Sequence, residues 1–272
     1  MKKIFLVVCS IIVFSSVEAN AQTIFIPQPT VVNIPLLDPS RLMIQNEVFR
    51  NTVNGAAQKG VVKGAKTRPP AAAVDYTIYK PRQMNYIPKV LAQTGKGNAA
   101  EQRQAEQFYN SQIEYYEQVA SSNRYPANDV AYALMYFIVN NYEIYYDLVA
   151  VPIEKDPWAK RAKDGFERLA LLNKKRSRVT TPEEDRAIYF QLKDMLSAKP
   201  EFRKMAGEDK QKITETLAIT YGVLRTSYLK AIDDEDERLI NQAHEGARQN
   251  LEKLLGVSID KIKINLSGLQ LK

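Results

Sequence analysis

Tyr132, Tyr136, Asn140, Glu143 and Asp147 recur at spacings of 4, 4, 3 and 4 within DVAYALMYFIVNNYEIYYDL, residues 129–148. In a helix turning about 100° per residue they fall on one stripe. Two carboxylates, an amide and two phenols in a row could hold a sugar or a peptide, because a tyrosine ring offers an apolar face and its hydroxyl a polar tip. The stripe holds no Lys or Arg, although the chain has 38 of them. A solvated helix back is ordinarily rich in those helix formers. Val130, Leu134, Phe137, Ile138, Tyr145 and Leu148 gather on the opposite side. The segment therefore reads as an amphipathic core helix. Its polar stripe either faces a ligand or is covered by the N-terminal arm or the preceding helix, with the tyrosines as packing residues. Asn141 stands among the apolar positions, where an unpaired amide costs about 1–3 kcal/mol, so an interhelix hydrogen bond that fixes register is expected there.

Other chemistries lack their parts. His244 is the single histidine and Cys9 the single cysteine. One histidine cannot build a paired-histidine zinc site, and a Ser-His-Asp triad would have only His244, with no Gly-x-Ser-x-Gly elbow to serve it. His244, in NQAHEGAR, reads as a helix-surface or packing residue. Gly55 and Gly60 have the spacing of a phosphate loop, but Val61 and Val62 stand where Lys and Ser or Thr are needed. The acids of DDEDE, residues 233–237, lack the glycine and distal glutamate of a calcium loop and suit the first turn of a helix. No cofactor and no metal site is expected. Paired carboxylates that act on a glycosidic bond must lie about 5–10 Å apart in space. Sequence does not measure that distance, so a carboxylate-dependent hydrolase of envelope polymers stands as the alternative to a binding protein.

The N-terminus reads as an export signal. Lys2 and Lys3 precede the apolar run IFLVVCSIIVF, and SSVEANA ends in a small-x-small site, which puts cleavage between Ala21 and Gln22. Removing 21 of the 272 residues leaves 251 without any cysteine, so burial and not disulfides must stabilise the mature chain. No later segment reaches the roughly 18–20 apolar residues of a membrane span. The expected destination is the periplasm or the exterior of a Gram-negative cell. Charge is unevenly spread: residues 59–89 hold seven Lys or Arg against Asp75 alone, and residues 155–178 hold nine against three acids. Such zones could meet an anionic surface, but they read more simply as a linker and solvated helix faces. Export and the lack of a recognised motif argue against nucleic acid.

The elements that must position these residues follow from periodicity and caps. Residues 22–75 read as a partly extended arm (TIFIPQPTVVNIPLLDP), one helix, and a Gly-, Pro- and Ala-rich basic linker over 59–74. Residues 76–272 read as a helical domain. Helices are expected over NAAEQRQAEQFYNSQIEYYEQVA, over the segment opened by Asn128 or Asp129, over DPWAKRAKDGFERLALL with Trp158, Phe166, Leu169 and Leu172, and after TPEE. In TPEE, Thr181 caps, Pro182 takes the first helical position and Glu184 completes a capping box. A long helix over about 208–232 contains Gly222, which points to close packing, and a last helix stops at Gly256. The tail VSIDKIKINLSGLQLK reads as extended. The fold class is all-α: a bundle of six or seven helices with an irregular, partly extended N-terminal arm.

PANDVAYALMYFIVNNY, QLKDMLSAKPEFRKMAGEDKQKITETLAITYGVL and ARQNLEKLLGVSIDKIKINLSGLQL resemble three successive blocks of a family of exported bacterial proteins known only as a domain of unknown function. The resemblance spans about residues 79–271, and the basic stretch around 152–180 is longer here than in that pattern. It implies an exported helical domain and brings no activity, cofactor or site residue. The expectation is a non-enzymatic interaction or binding module whose partner is an envelope or extracellular protein or glycan.

Overall fold

The computed structural model describes residues 74–82, 84–95 and 97–271. The expected signal segment and all but the last two residues of the expected arm and linker lie outside the described residues. The described chain is all-α apart from one small hairpin. Its helices are α1 (Ile87–Thr94), α2 (Ala99–Ser122), α3 (Val130–Tyr145), α4 (Pro157–Lys160), α5 (Gly165–Arg176), α6 (Pro182–Ser197), α7 (Pro200–Lys204), α8 (Gly207–Asp233) and α9 (Glu237–Leu255). Strands β1 (Ile262–Asn265) and β2 (Gly268–Leu271) pair antiparallel, with Ile262 opposite Leu271 and Asn265 opposite Gly268.

Local chemistry sets the helix ends. Asn98 and Glu101 form a capping box on α2, and Thr181 and Glu184 form the expected one on α6, with Pro182 at the first position. Asp129 caps α3 by accepting from the Ala131 amide at 2.8 Å. Gly256 ends α9 in the left-handed region, at φ 70°, as a C-terminal glycine should. Helix α1 lacks a side-chain cap of its own. Glu215 of α8 supplies one from a distance, accepting from the amides of Tyr86 and Ile87 at 2.8 and 2.9 Å. A carboxylate at a helix N-terminus also meets the positive end of the macrodipole.

Helix α3 is the axis of the bundle and packs against α8, α9 and α6. Twelve of its 16 residues are buried. The expected amphipathic helix is therefore covered on nearly all sides, and α2 closes over the stripe through Tyr116, which meets the rings of Tyr132 and Tyr136. The core stripes Ile188–Leu192–Leu196 of α6 and Ile213–Leu217–Tyr221–Leu224–Tyr228 of α8 are buried as their spacing predicts. Asn141 is fully buried; its amide donates to Phe137 O at 2.7 Å, and its oxygen accepts from Asn250 of α9 at 2.8 Å. That is the expected interhelix bond. Gly222 lets α2 approach α8, since a Cβ there would stand 2.7 Å from Cβ of Gln112.

One expectation is corrected, and the extended tail gains a partner. The helix expected from Asp156 onward is broken in two: α4 ends at Lys160, and Asp164 caps a new helix, α5, by accepting from the Glu167 amide. Phe166 and Leu169 of that expected helix are exposed. The tail forms a hairpin docked on α6, where Gln191 exchanges two hydrogen bonds with the backbone of Leu269, at 2.8 and 2.7 Å. Ser267 turns the hairpin by donating its amide to Asn265 Oδ1.

Candidate functional site

Four of the five stripe residues meet in one cavity. Tyr132, Tyr136, Asn140 and Glu143 of α3 line a space of about 160 Å³ with Val119 and Asn123 of the α2 end, Thr180, and Asp185 of α6. The fifth, Asp147, lies elsewhere. It follows the end of α3 in the left-handed region, at φ 55°, a conformation that aspartate tolerates better than most residues.

The cavity is built for polar contact yet leaves polar atoms unserved. Its walls carry no Lys or Arg. Thr180 sits between two carboxyls: its hydroxyl lies 3.4 Å from Glu143 Oε1 and also hydrogen-bonds Asp185. One hydroxyl proton cannot serve both acids at once. Asp185 Oδ1 and Tyr136 Oη are buried without a hydrogen-bond partner. Asn140 donates Nδ2 to Tyr136 O at 2.6 Å, which leaves its Oδ1 as an acceptor. Burial, reinforced by the charge of Asp185, pushes the Glu143 carboxyl up to about 7 against hydrogen bonds from Thr180. Burial likewise raises Asp185, although Thr180 works against it. The site therefore sets two carboxyls, both with raised pKa, beside acceptors that lack donors.

Asp147 is served on every side. Arg161 Nη2 at 2.5 Å, His244 Nε2 at 2.7 Å and the Tyr228 hydroxyl at 3.1 Å all reach its carboxyl. Burial alone would raise its pKa, but the His244 contact and the Arg161 charge outweigh burial and hold it below the usual carboxylate range. The sole histidine is thus a buried-edge partner of Asp147 on α9, and no serine or threonine completes a triad with the pair in any hydrogen bond of the described residues.

Sequence reasoning missed Asp185 and Thr180. Asp185 had a legible signal: it occupies the stripe of Ile188, Tyr189, Leu192 and Leu196, where an apolar residue belongs. An acid on a buried face raises the question of what it meets. Thr180 precedes the capping residue and had no such signal. Among the described residues, no group of three or more His, Cys, Asp or Glu could hold a metal ion, and no helix is long and apolar enough to cross a membrane.

No curated protein and no solved structure matches the chain. The model of a family described as "Family of unknown function (DUF6683)" matches residues 5–156 and 178–272. The stretch between them, 157–177, contains α4 and α5 and is not matched by that family model. With both matched stretches reaching over most of its length, the chain belongs to this family of unknown function.

Proposed function

We propose that the chain is a non-enzymatic, exported binding module of the cell envelope, and that the cavity between α2, α3 and α6 receives a primary ammonium group of its partner. The observation that carries this reading is the partnerless Asp185 Oδ1 beside Glu143 in a cavity without Lys or Arg. Glu143, Asp185 and Asn140 Oδ1 offer three acceptors, and an ammonium carries three donors. Binding a cation there would restore the charge on Glu143, which is held near neutral in its absence. A lysine side chain or an amino sugar brings such a group, which agrees with an envelope or extracellular protein or glycan as partner.

The test uses Nα-acetyl-lysine amide as probe and Nα-acetyl-norleucine amide as its uncharged counterpart, titrated by calorimetry. Saturable binding of the lysine probe, absent in the double variant E143Q/D185N, is expected. Equal binding of both probes, or full binding by the variant, contradicts the proposal. Export has its own check. The chain recovered from an expressing Gram-negative host should begin at Gln22, and an intact mass that retains residues 1–21 contradicts cleavage at the small-x-small site.

A second reading rests on the Glu143 pKa. A carboxyl raised to about 7 beside another acid is the state of a general acid, as a hydrolase of envelope polymers would need. The cavity argues against it, since about 160 Å³ enclosed by three helices holds a side-chain terminus and not a polymer strand. Turnover of envelope glycan that vanishes with Glu143→Gln would favour the enzyme.

A further inference from the structure

We infer that α5 is a docking face for an anionic lipid bilayer. The helix displays what a folded domain normally hides: Phe166 is 90% exposed and Leu169 60% exposed. Ala170 is exposed beside them, and on a helix all three fall on one side. Lys174 and Arg176 flank that side, one on each edge, while Lys163 and Arg168 add charge near the N-terminal end. None of these four basic side chains has an ion-pair or hydrogen-bond partner among the described residues. An apolar stripe edged with cations is the pattern of a helix that lies in the headgroup region of an anionic membrane, with its rings among the acyl chains.

The anchoring of the helix supports a presented face over a loose end. The helix lies in the stretch 157–177, between the two stretches that match the family model. The stretch is firmly pinned at its base. Lys175 and Asp156 form a buried ion pair at 2.5 Å, and Lys175 also donates to Val149 O at 2.8 Å. Trp158 Nε1 donates to Tyr146 O at 3.0 Å, and Arg161 reaches Asp147. Phe166 and Leu169 are thus held exposed between anchors at Arg161 and Lys175. Charge selects the occupant: Lys174 and Arg176 beside the apolar stripe, with Lys163 near its start, have no ion-pair partner among the described residues, and they favour an anionic surface over a neutral one or over a second copy, which would bring the same positive charges.

Flotation of the full chain with vesicles of phosphatidylglycerol and phosphatidylcholine, against phosphatidylcholine alone, tests this. Binding to the anionic vesicles is expected, falling with added salt. It should drop roughly tenfold or more in F166A/L169A, and also in K174E/R176E, because each removes one component of the attraction. All four positions are exposed, so both variants should melt with the parent chain. Equal flotation with neutral vesicles, or parental binding by F166A/L169A, overturns the inference. So does a parent that ignores vesicles but self-associates through this face, seen as a sedimentation coefficient lowered by F166A/L169A.

Discussion

Glu143 and Asp147 stand one helical turn apart at the end of α3. Both are carboxyls removed from water, and for both, burial is the largest influence and pushes the pKa upward. Their outcomes are opposite. Asp147 gathers an arginine, a histidine and a tyrosine hydroxyl, and stays ionised below the usual range. Glu143 meets a second acid, and burial with that charge outweighs the hydrogen bonds from Thr180 and the charge of Lys175, so it rises to about 7. The same carboxyl chemistry thus divides according to what the neighbouring helices bring. Asp147 has become a fastening between the end of α3, α8, α9 and Arg161 after α4. Glu143 keeps an unmet need, and an unmet need in a cavity is where a ligand gains most.

The largest effect should come from breaking the fastening. Asp147→Ala leaves the Tyr228 hydroxyl and His244 without their partner, and should cost roughly 3–5 kcal/mol in urea unfolding. Asp147 also makes a pH prediction. Because its folded pKa is depressed, its contribution is present above about pH 4 and lost as pH falls through the folded value. A loss under 1 kcal/mol for the variant would remove the contrast between the two carboxyls.

Glu143 should behave with the opposite sign. Its folded pKa lies above the ordinary value of 4.5, so the folded chain holds the proton more tightly than the unfolded chain does. Stability is complete below about pH 4.5 and declines as pH rises through about 7. Glu143→Gln removes that decline. It should match the parent near pH 4 and exceed it by up to roughly 3 kcal/mol at pH 8. Destabilisation at both pH values would show Glu143 to be a fastening like Asp147.

A smaller effect sharpens the comparison on the far side of the helix. Asn141 and Asn250 pair within the core, with both the amide and the oxygen of Asn141 used. Asn250→Ala should cost about 1–3 kcal/mol, the penalty of stranding the Asn141 oxygen, with no dependence on pH between 4 and 8. A pH-dependent loss would mean that a titrating group is involved.

Much of the fold was legible in the sequence because its signals are local. Thr181, Pro182 and Glu184 start α6 by side-chain hydrogen bonds that span three residues, and Gly256 stops α9 by a backbone conformation of its own. The broken helix over 157–176 was less legible: Asp164 and Gly165 form a start signal inside a run of helix-favouring residues, and periodicity alone carried through it. The hairpin was read only as an extended tail. Its alternation over Ile262, Ile264, Leu269 and Leu271 is short, and its support comes from Gln191, more than 70 positions away. The candidate site divides in the same way. The stripe on α3 could be read because helical spacing is a local rule. Where that stripe would be covered depended on α2, and which acid would face Glu143 depended on α6. No local pattern announces a partner from another helix. That is also why Asp147 was grouped with its stripe: spacing places a side chain on a face, while the left-handed turn after Tyr146 carries this one to a different set of neighbours.

The central claim is that Glu143 stands in a cavity that lacks a cation. Following the Glu143 side-chain carboxyl carbon by NMR from pH 3 to 9, with and without saturating Nα-acetyl-lysine amide, tests it most directly. The free chain should titrate with a midpoint of about 7, and the probe should move that midpoint downward, with protons released on binding near neutral pH. A midpoint at the ordinary value near 4.5, or one near 7 that the probe leaves unmoved, would contradict the claim.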